Sequence, residues 1–191
     1  FKRSYSIDFE NQFDQMEHEL GHFSAAGFTL AAHVYRHPNP KGTLLLLHGY
    51  YDHVGIYGSA IEFALQHQLN VFAYDLPGHG LSSGERASIS CFQQYDEVFC
   101  EALNLVQKQF SGPLHVMGQS TGCAVISNYL LTRGIQQSES PFEQVIFLAP
   151  LIRPHQWWQA RIVHSLLKPF LSGIKRTFAV NSKDPEFLRF L

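Results

Sequence analysis

The pentapeptide Gly118-Gln119-Ser120-Thr121-Gly122 has the form G-x-S-x-G, with a central serine between two residues that lack side chains. A serine at a tight bend between a strand and a helix needs such neighbours, because small residues let the two backbone segments pass close together. The bend lifts the hydroxyl above the sheet and turns the next N–H, that of Thr121, toward the place where a tetrahedral oxyanion forms. The chemistry that fits is nucleophilic attack on a carbonyl through an acyl-enzyme on Ser120. An ordinary glycine-flanked helix start matches the same five letters, so the surroundings must decide. Leu114 to Met117 reads as a strand entering the pentapeptide, and Ser120 to Thr132 as a helix leaving it.

A second oxyanion donor is expected from the loop after an earlier strand. Leu47-His48-Gly49-Tyr50-Tyr51-Asp52-His53 follows a short apolar run, and Gly49 permits a turn that aims the N–H of Tyr50 inward. A plain glycine turn is the other reading of these residues.

The elements that must position these groups follow from pattern. Ser24-Ala25-Ala26-Gly27 is a turn cluster inside a predicted hairpin from Leu20 to Tyr35. Thr43 to Leu47, Asn70 to Tyr74, Leu114 to Met117 and Gln144 to Ala149 are short and apolar, as strands buried on both faces are. Between the first two, Gly58 to Gln68 sets Ile61, Ala64 and Leu65 on one helical face. Ser90 and Gln93 resemble a capping box opening a helix to about Phe110, with Tyr95, Val98, Phe99, Ala102 and Val106 inward. Strands alternating with helices predict an α/β fold, a mostly parallel sheet with helices on both faces, over residues 1–150. From 151 to 191 no strand pattern remains. Trp157, Trp158, Ile162, Val163, Leu166, Leu167 and Phe170 recur at helical spacing.

The chain has 191 residues, 45% of them hydrophobic and 16% charged, which suits a folded domain. A net charge of −2 argues against a nucleic-acid partner. Cys91, Cys100 and Cys123 have neither metal-pair nor disulfide-framework spacing and are expected reduced. No stretch is apolar enough to span a bilayer, and the opening Phe1-Lys2-Arg3-Ser4-Tyr5 lacks a signal-peptide core, so a cytoplasmic location is expected.

His48-Gly49, then Asp75-Leu76-Pro77-Gly78-His79-Gly80-Leu81-Ser82, then Gly118-Gln119-Ser120-Thr121-Gly122 together resemble the lysophospholipase and monoglyceride lipase group of α/β-hydrolases. The resemblance covers about residues 20 to 150, and the helical tail looks like the start of that group's cap. It implies Ser120 as nucleophile, Tyr50 and Thr121 as oxyanion donors, and Asp75 and His79 as structural. It also implies a lysophospholipid or monoglyceride ester as substrate, with no cofactor and no metal. Tyr50-Tyr51 is bulkier than the small residues expected there, which bears on pocket shape.

Such a triad runs Ser, then Asp or Glu, then His. After Ser120 the acids are Glu139, Glu143, Asp184 and Glu186, and the histidines are His155 and His164. No histidine follows Asp184, and no acid lies between Pro150 and Lys183. The expectation is therefore an incomplete triad, completed by a C-terminal fragment of the same protein. Arg153, Arg161, Lys168, Lys175, Arg176 and Lys183 make the tail cationic, which suits peripheral contact with an anionic membrane. Two rival readings remain. One is a hydrolase-like binding protein without activity. The other is zinc proteolysis at His18-Glu19-Leu20-Gly21-His22, a literal H-E-x-x-H that Gly21 and the following turn cluster disfavour as a helix.

Overall fold

The computed structural model describes Tyr5, residues 7–151, residues 157–167 and Pro169. Residues 1–150 form one compact unit and 151–191 a second.

Six strands make the sheet of the first unit: β1 (Glu17–Ala25), β2 (Phe28–Arg36), β3 (Gly42–Leu47), β4 (Leu69–Tyr74), β5 (Leu114–Gln119) and β6 (Gln144–Leu148). Their order is β1-β2-β4-β3-β5-β6. β1 and β2 form the predicted hairpin, closed by Ala26 and Gly27 with φ of 50° and 80°. Positive φ at both central residues gives the turn whose twist matches that of the flanking strands. β2 pairs antiparallel to β4, and from β4 through β3 and β5 to β6 all pairing is parallel.

Three helices cover the sheet: α1 (Gly58–Gln66), α2 (Gln93–Gln109) and α3 (Thr121–Thr132). Every residue of β3 is buried, as a central parallel strand requires. Its side chains alternate between two cores. Leu44 and Leu46 join Ile61, Ala64 and Leu65 of α1, together with Ile7, Phe9 and Met16 from the N-terminal segment. Leu45 and Leu47 join Val98, Phe99, Ala102 and Val106 of α2 and Val125 and Ile126 of α3. Asp96 of α2, buried, takes two bonds from the Arg133 guanidinium at 2.9 and 2.8 Å, tying the end of α3 to α2.

Three expectations need correction. The capping box at Ser90 does not form: α2 starts at Gln93 with no side-chain cap, and Gln94 Oε1 accepts the Ser90 N–H at 2.8 Å instead. β6 is not buried on both faces. Among the described residues it pairs with β5 alone, and Val145, Phe147 and Leu148 are exposed. Finally, His18-Glu19-Leu20-Gly21-His22 lies within β1, where residues four apart stand about 13 Å from each other, not on one helical turn. That geometry removes the zinc-protease reading. His18 is itself buried: it stacks on Tyr35 at 3.9 Å and approaches buried His33 ring to ring, Nε2 to Nδ1 at 3.1 Å. Among the described residues no cluster of three His, Cys, Asp or Glu is placed to hold a metal ion.

The second unit contains α4 (Trp157–Leu167), the helix predicted from spacing. Among the described residues no helix is long and apolar enough to cross a membrane. The expectations for Arg153, His155, Lys168, Phe170, Lys175, Arg176, Lys183, Asp184 and Glu186 lie outside the described residues.

Candidate active site

Ser120 sits between the last residue of β5 and the first of α3, with φ 47° and ψ −103°. A non-glycine residue at positive φ is uncommon and strained, and it persists only where its surroundings hold it. Here the Ser120 N–H donates to the Leu148 carbonyl of β6 at 3.0 Å. The Cys123 thiol donates to the Gly118 carbonyl at 2.9 Å, bracing the bend from within. Both flanking glycines have negative φ. What they supply is closeness: a Cβ at Gly118 would lie 2.6 Å from the Gly122 carbonyl carbon, and one at Gly122 would lie 2.6 Å from the Leu47 oxygen. The bend is thus pressed against the end of β3. Thr121 is buried and opens α3, so its N–H belongs to the first helical turn, which has no intrahelical acceptor. The half-buried Ser120 hydroxyl therefore stands at the positive end of a helix, where a developing negative charge is favoured.

The His48-Gly49 loop lies beside this bend, since a Cβ on Gly49 would collide with the end of the Gln119 side-chain amide. The Gly49 N–H donates to the Tyr57 hydroxyl at 3.1 Å, and the Asp52 N–H to the Gly49 carbonyl at 3.2 Å. Tyr51 takes φ 67°, and the Tyr50 hydroxyl donates to the Ala87 carbonyl at 2.7 Å. The Tyr50 ring stands edge-on to those of Tyr51 and His79, at 4.5 and 5.6 Å.

His48, Asp75 and His79 build the floor of these loops. His48 Nε2 accepts the Leu76 N–H at 2.8 Å, so the proton must be on Nδ1, which donates to the Gly49 carbonyl at 2.7 Å. The 4.0 Å approach of Nε2 to Asp75 is therefore not an ion pair. Burial pushes His48 down to about 3, and the ring is neutral. Asp75 accepts the N–H groups of Val54 and Leu81, one on each oxygen, both at 2.8 Å. Burial raises its carboxyl above the ordinary value, and those two bonds oppose the rise. His79 donates from Nδ1 to the Pro77 carbonyl at 2.8 Å, and burial lowers its basicity.

A pH dependence follows from His48. The unfolded chain takes up a proton near the ordinary value of 6.5, the folded chain only near 3, so falling pH between these values favours unfolding. The slope is on the order of 1.4 kcal/mol per pH unit. Unfolding free energies from urea titrations at pH 7 and pH 5 should therefore differ by about 2 kcal/mol in favour of pH 7 from this residue. In the His48→Leu variant the slope should fall by about one proton, and an unchanged slope would contradict the assignment.

Of the acids considered for a triad, the two described ones, Glu139 and Glu143, do not reach Ser120. The Glu143 N–H bonds the Leu114 carbonyl at the start of β5, about 16 Å of strand from its far end. Glu139 lies in the turn before it; His164 belongs to α4 of the second unit, which is described by itself. Tyr57, Asp52, Gln119 and Cys123 are site-shaping residues that pattern reading missed. Only Cys123 left a trace, as an apolar-type residue one turn along the helix from Ser120.

A mostly parallel sheet whose central strands end at a His-Gly loop and at a strand–serine–helix bend defines an α/β-hydrolase. The family model described as Serine aminopeptidase, S33 matches residues 38–189, and the chain belongs to that family. Monoglyceride lipase of Rattus norvegicus is 32% identical over 116 residues and that of Homo sapiens 30% over 114. Each match covers 59% of this chain and 36% of the relative, so the chain spans little more than a third of these lipases. A soluble variant of monoglyceride lipase from Saccharomyces cerevisiae shares the fold at TM-score 0.69 and 19% identity, over 91% of this chain and 61% of that one. Within the α/β-hydrolases the chain is thus similar to monoglyceride lipases.

Proposed function

We propose that this chain carries the nucleophile half of a serine hydrolase that cleaves a carboxylic ester of a lipid, a monoglyceride or lysophospholipid. The observation that carries the reading is the backbone of Ser120, a strained φ of 47° braced by β6, Cys123 and two glycines. The names of the relatives support a lipid ester as substrate. In the first step Ser120 Oγ bonds to the ester carbonyl carbon while its proton passes to a base. The carbonyl oxygen takes the negative charge and is held by the N–H groups of Thr121 and Tyr50. Collapse expels the alcohol, which takes up the proton, and leaves the acyl group on Ser120; water then attacks that acyl-enzyme, giving one proton to the base, and the bond to Ser120 Oγ breaks to release the fatty acid as Oγ takes the proton back. The acid and histidine of this scheme belong to sequence beyond the described residues, in keeping with the 36% span.

The test is hydrolysis by the intact natural protein of three substrates: a monoacylglycerol, a lysophosphatidylcholine and an aminoacyl anilide. Turnover of either lipid ester well above the anilide is expected. Preference for the anilide, or no turnover of any of them, would overturn the reading.

The same reading includes a cytoplasmic enzyme that meets its substrate at a membrane surface. Trp157, Trp158, Ile162 and Leu166 of α4 are exposed, and the sequence around them is cationic. Such a helix suits the boundary between headgroups and acyl chains. Co-sedimentation with vesicles should rise when phosphatidylserine is added and fall when Trp157 and Trp158 become Ala. Indifference to both changes would discard membrane contact.

A further inference from the structure

Tyr57 is half-buried at the start of α1, and its hydroxyl reaches three polar neighbours. It accepts the Gly49 N–H at 3.1 Å, and it lies 3.0 Å from Asp52 Oδ2 and 3.1 Å from the Gln119 side-chain atom placed as Oε1. One hydroxyl proton cannot serve two acceptor oxygens. The contacts balance when the NH2 group of Gln119 faces the hydroxyl, an orientation that hydrogen-bond balance, not atom positions, must decide. The Tyr57 oxygen then accepts from Gly49 and from Gln119, and its O–H donates to Asp52. Burial first, and the neighbouring charge of Asp52 second, raise the phenol above the ordinary tyrosine range, so that proton stays in place.

We infer that Tyr57 is a positioning residue, which locks the His48-Gly49 loop to the residue preceding Ser120 and so sets the spacing between the two oxyanion donors. This rests on the proposal that Ser120 is the nucleophile. The geometry gives the link its direction. Gly49 turns its N–H toward Tyr57, and Asp52 turns its N–H back to the Gly49 carbonyl, so neither amide faces the Ser120 bend as an oxyanion donor. The donor proposed for this loop, the N–H of Tyr50, directly follows Gly49, so its aim depends on how Gly49 is anchored. Gly49 has no room for a Cβ against Gln119, so loop and bend already touch; Tyr57 adds the directional bond across that contact. Residues 57 and 119 are 62 positions apart in sequence and join the two loops that the reaction needs in register.

An oxyanion donor displaced by a fraction of an ångström loses transition-state stabilisation while substrate binding is spared. Tyr57→Phe removes only the hydroxyl. In the intact natural protein, the second-order rate of fluorophosphonate labelling should fall about tenfold or more. The kcat for ester hydrolysis should fall by a similar factor, with KM within about twofold of wild type. Gln119→Met should do the same, and the double variant should be no slower than either single one, because both cut one link. Wild-type labelling rates in both single variants, multiplying effects in the double variant, or a rise in KM at constant kcat would overturn the inference. If Tyr57→Phe fails to fold, Gln119→Met alone carries the rate test. Failure of the underlying proposal is distinct: it would appear as equal labelling of wild type and Ser120→Ala, whatever Tyr57→Phe does.

Discussion

Ser120→Ala in the intact natural protein should lower ester turnover by about four orders of magnitude or more, the scale seen when a nucleophile acting with its base is removed. Binding of a non-hydrolysable lipid analogue should change little, because the hydroxyl contributes to bond making rather than to the ground-state complex. A companion substitution separates chemistry from strain. Ser120 occupies φ 47°, a region glycine enters without steric cost. Ser120→Gly should therefore be as inactive as the alanine variant, yet more stable than wild type by about 1 kcal/mol in urea unfolding. A less stable glycine variant would mean that the bend is not strained.

Gly122→Val is expected to have the largest effect on stability. A Cβ there would stand 2.6 Å from the Leu47 oxygen, 2.9 Å from the Leu47 Cβ and 3.0 Å from the His48 oxygen. Two of these are main-chain atoms where the central strand β3 runs into the His-Gly loop, and neither can swing aside as a side chain can. Overpacking costs about 1–3 kcal/mol where neighbours can yield, so the cost here should be about 3 kcal/mol or more. Gly122→Ala should show a smaller loss in the same direction. Both should slow fluorophosphonate labelling, because relief of the clash must push α3, and Thr121 with it, away from β3. Unfolding free energies in urea within a few tenths of a kcal/mol of wild type would show that the approach of α3 to β3 is looser than described.

Parts of this architecture were legible in the chain because they depend on near neighbours. β3, β4 and β5 announce themselves as short apolar runs, and α1 through Ile61, Ala64 and Leu65, because strand and helix periods are local properties. The backbone at Ser120 was legible for a similar reason: five consecutive residues contain both the bend and the glycines it needs. Burial of β6 was not, since its apolar residues say that the strand wants cover but not whether a neighbour supplies it. His18 misled in the same way. Its burial comes from Tyr35 and His33 across the hairpin, and the H-E-x-x-H spelling carries no trace of them. Gln93 looked like a capping partner for Ser90, but Gln94 took the bond, and one residue of offset lies within the scatter of helix ends. The link from Tyr57 to Gly49 and Gln119 was out of reach altogether, since it exists only once α1, the His-Gly loop and β5 are assembled.

The most direct measurement of the central claim is peptide mapping by tandem mass spectrometry after the intact natural protein is treated with a fluorophosphonate. The account predicts one adduct, on the peptide containing Ser120, formed in parallel with loss of esterase activity. An active protein whose adduct lies on another residue, or whose Ser120 stays unmodified as activity is lost, would contradict it.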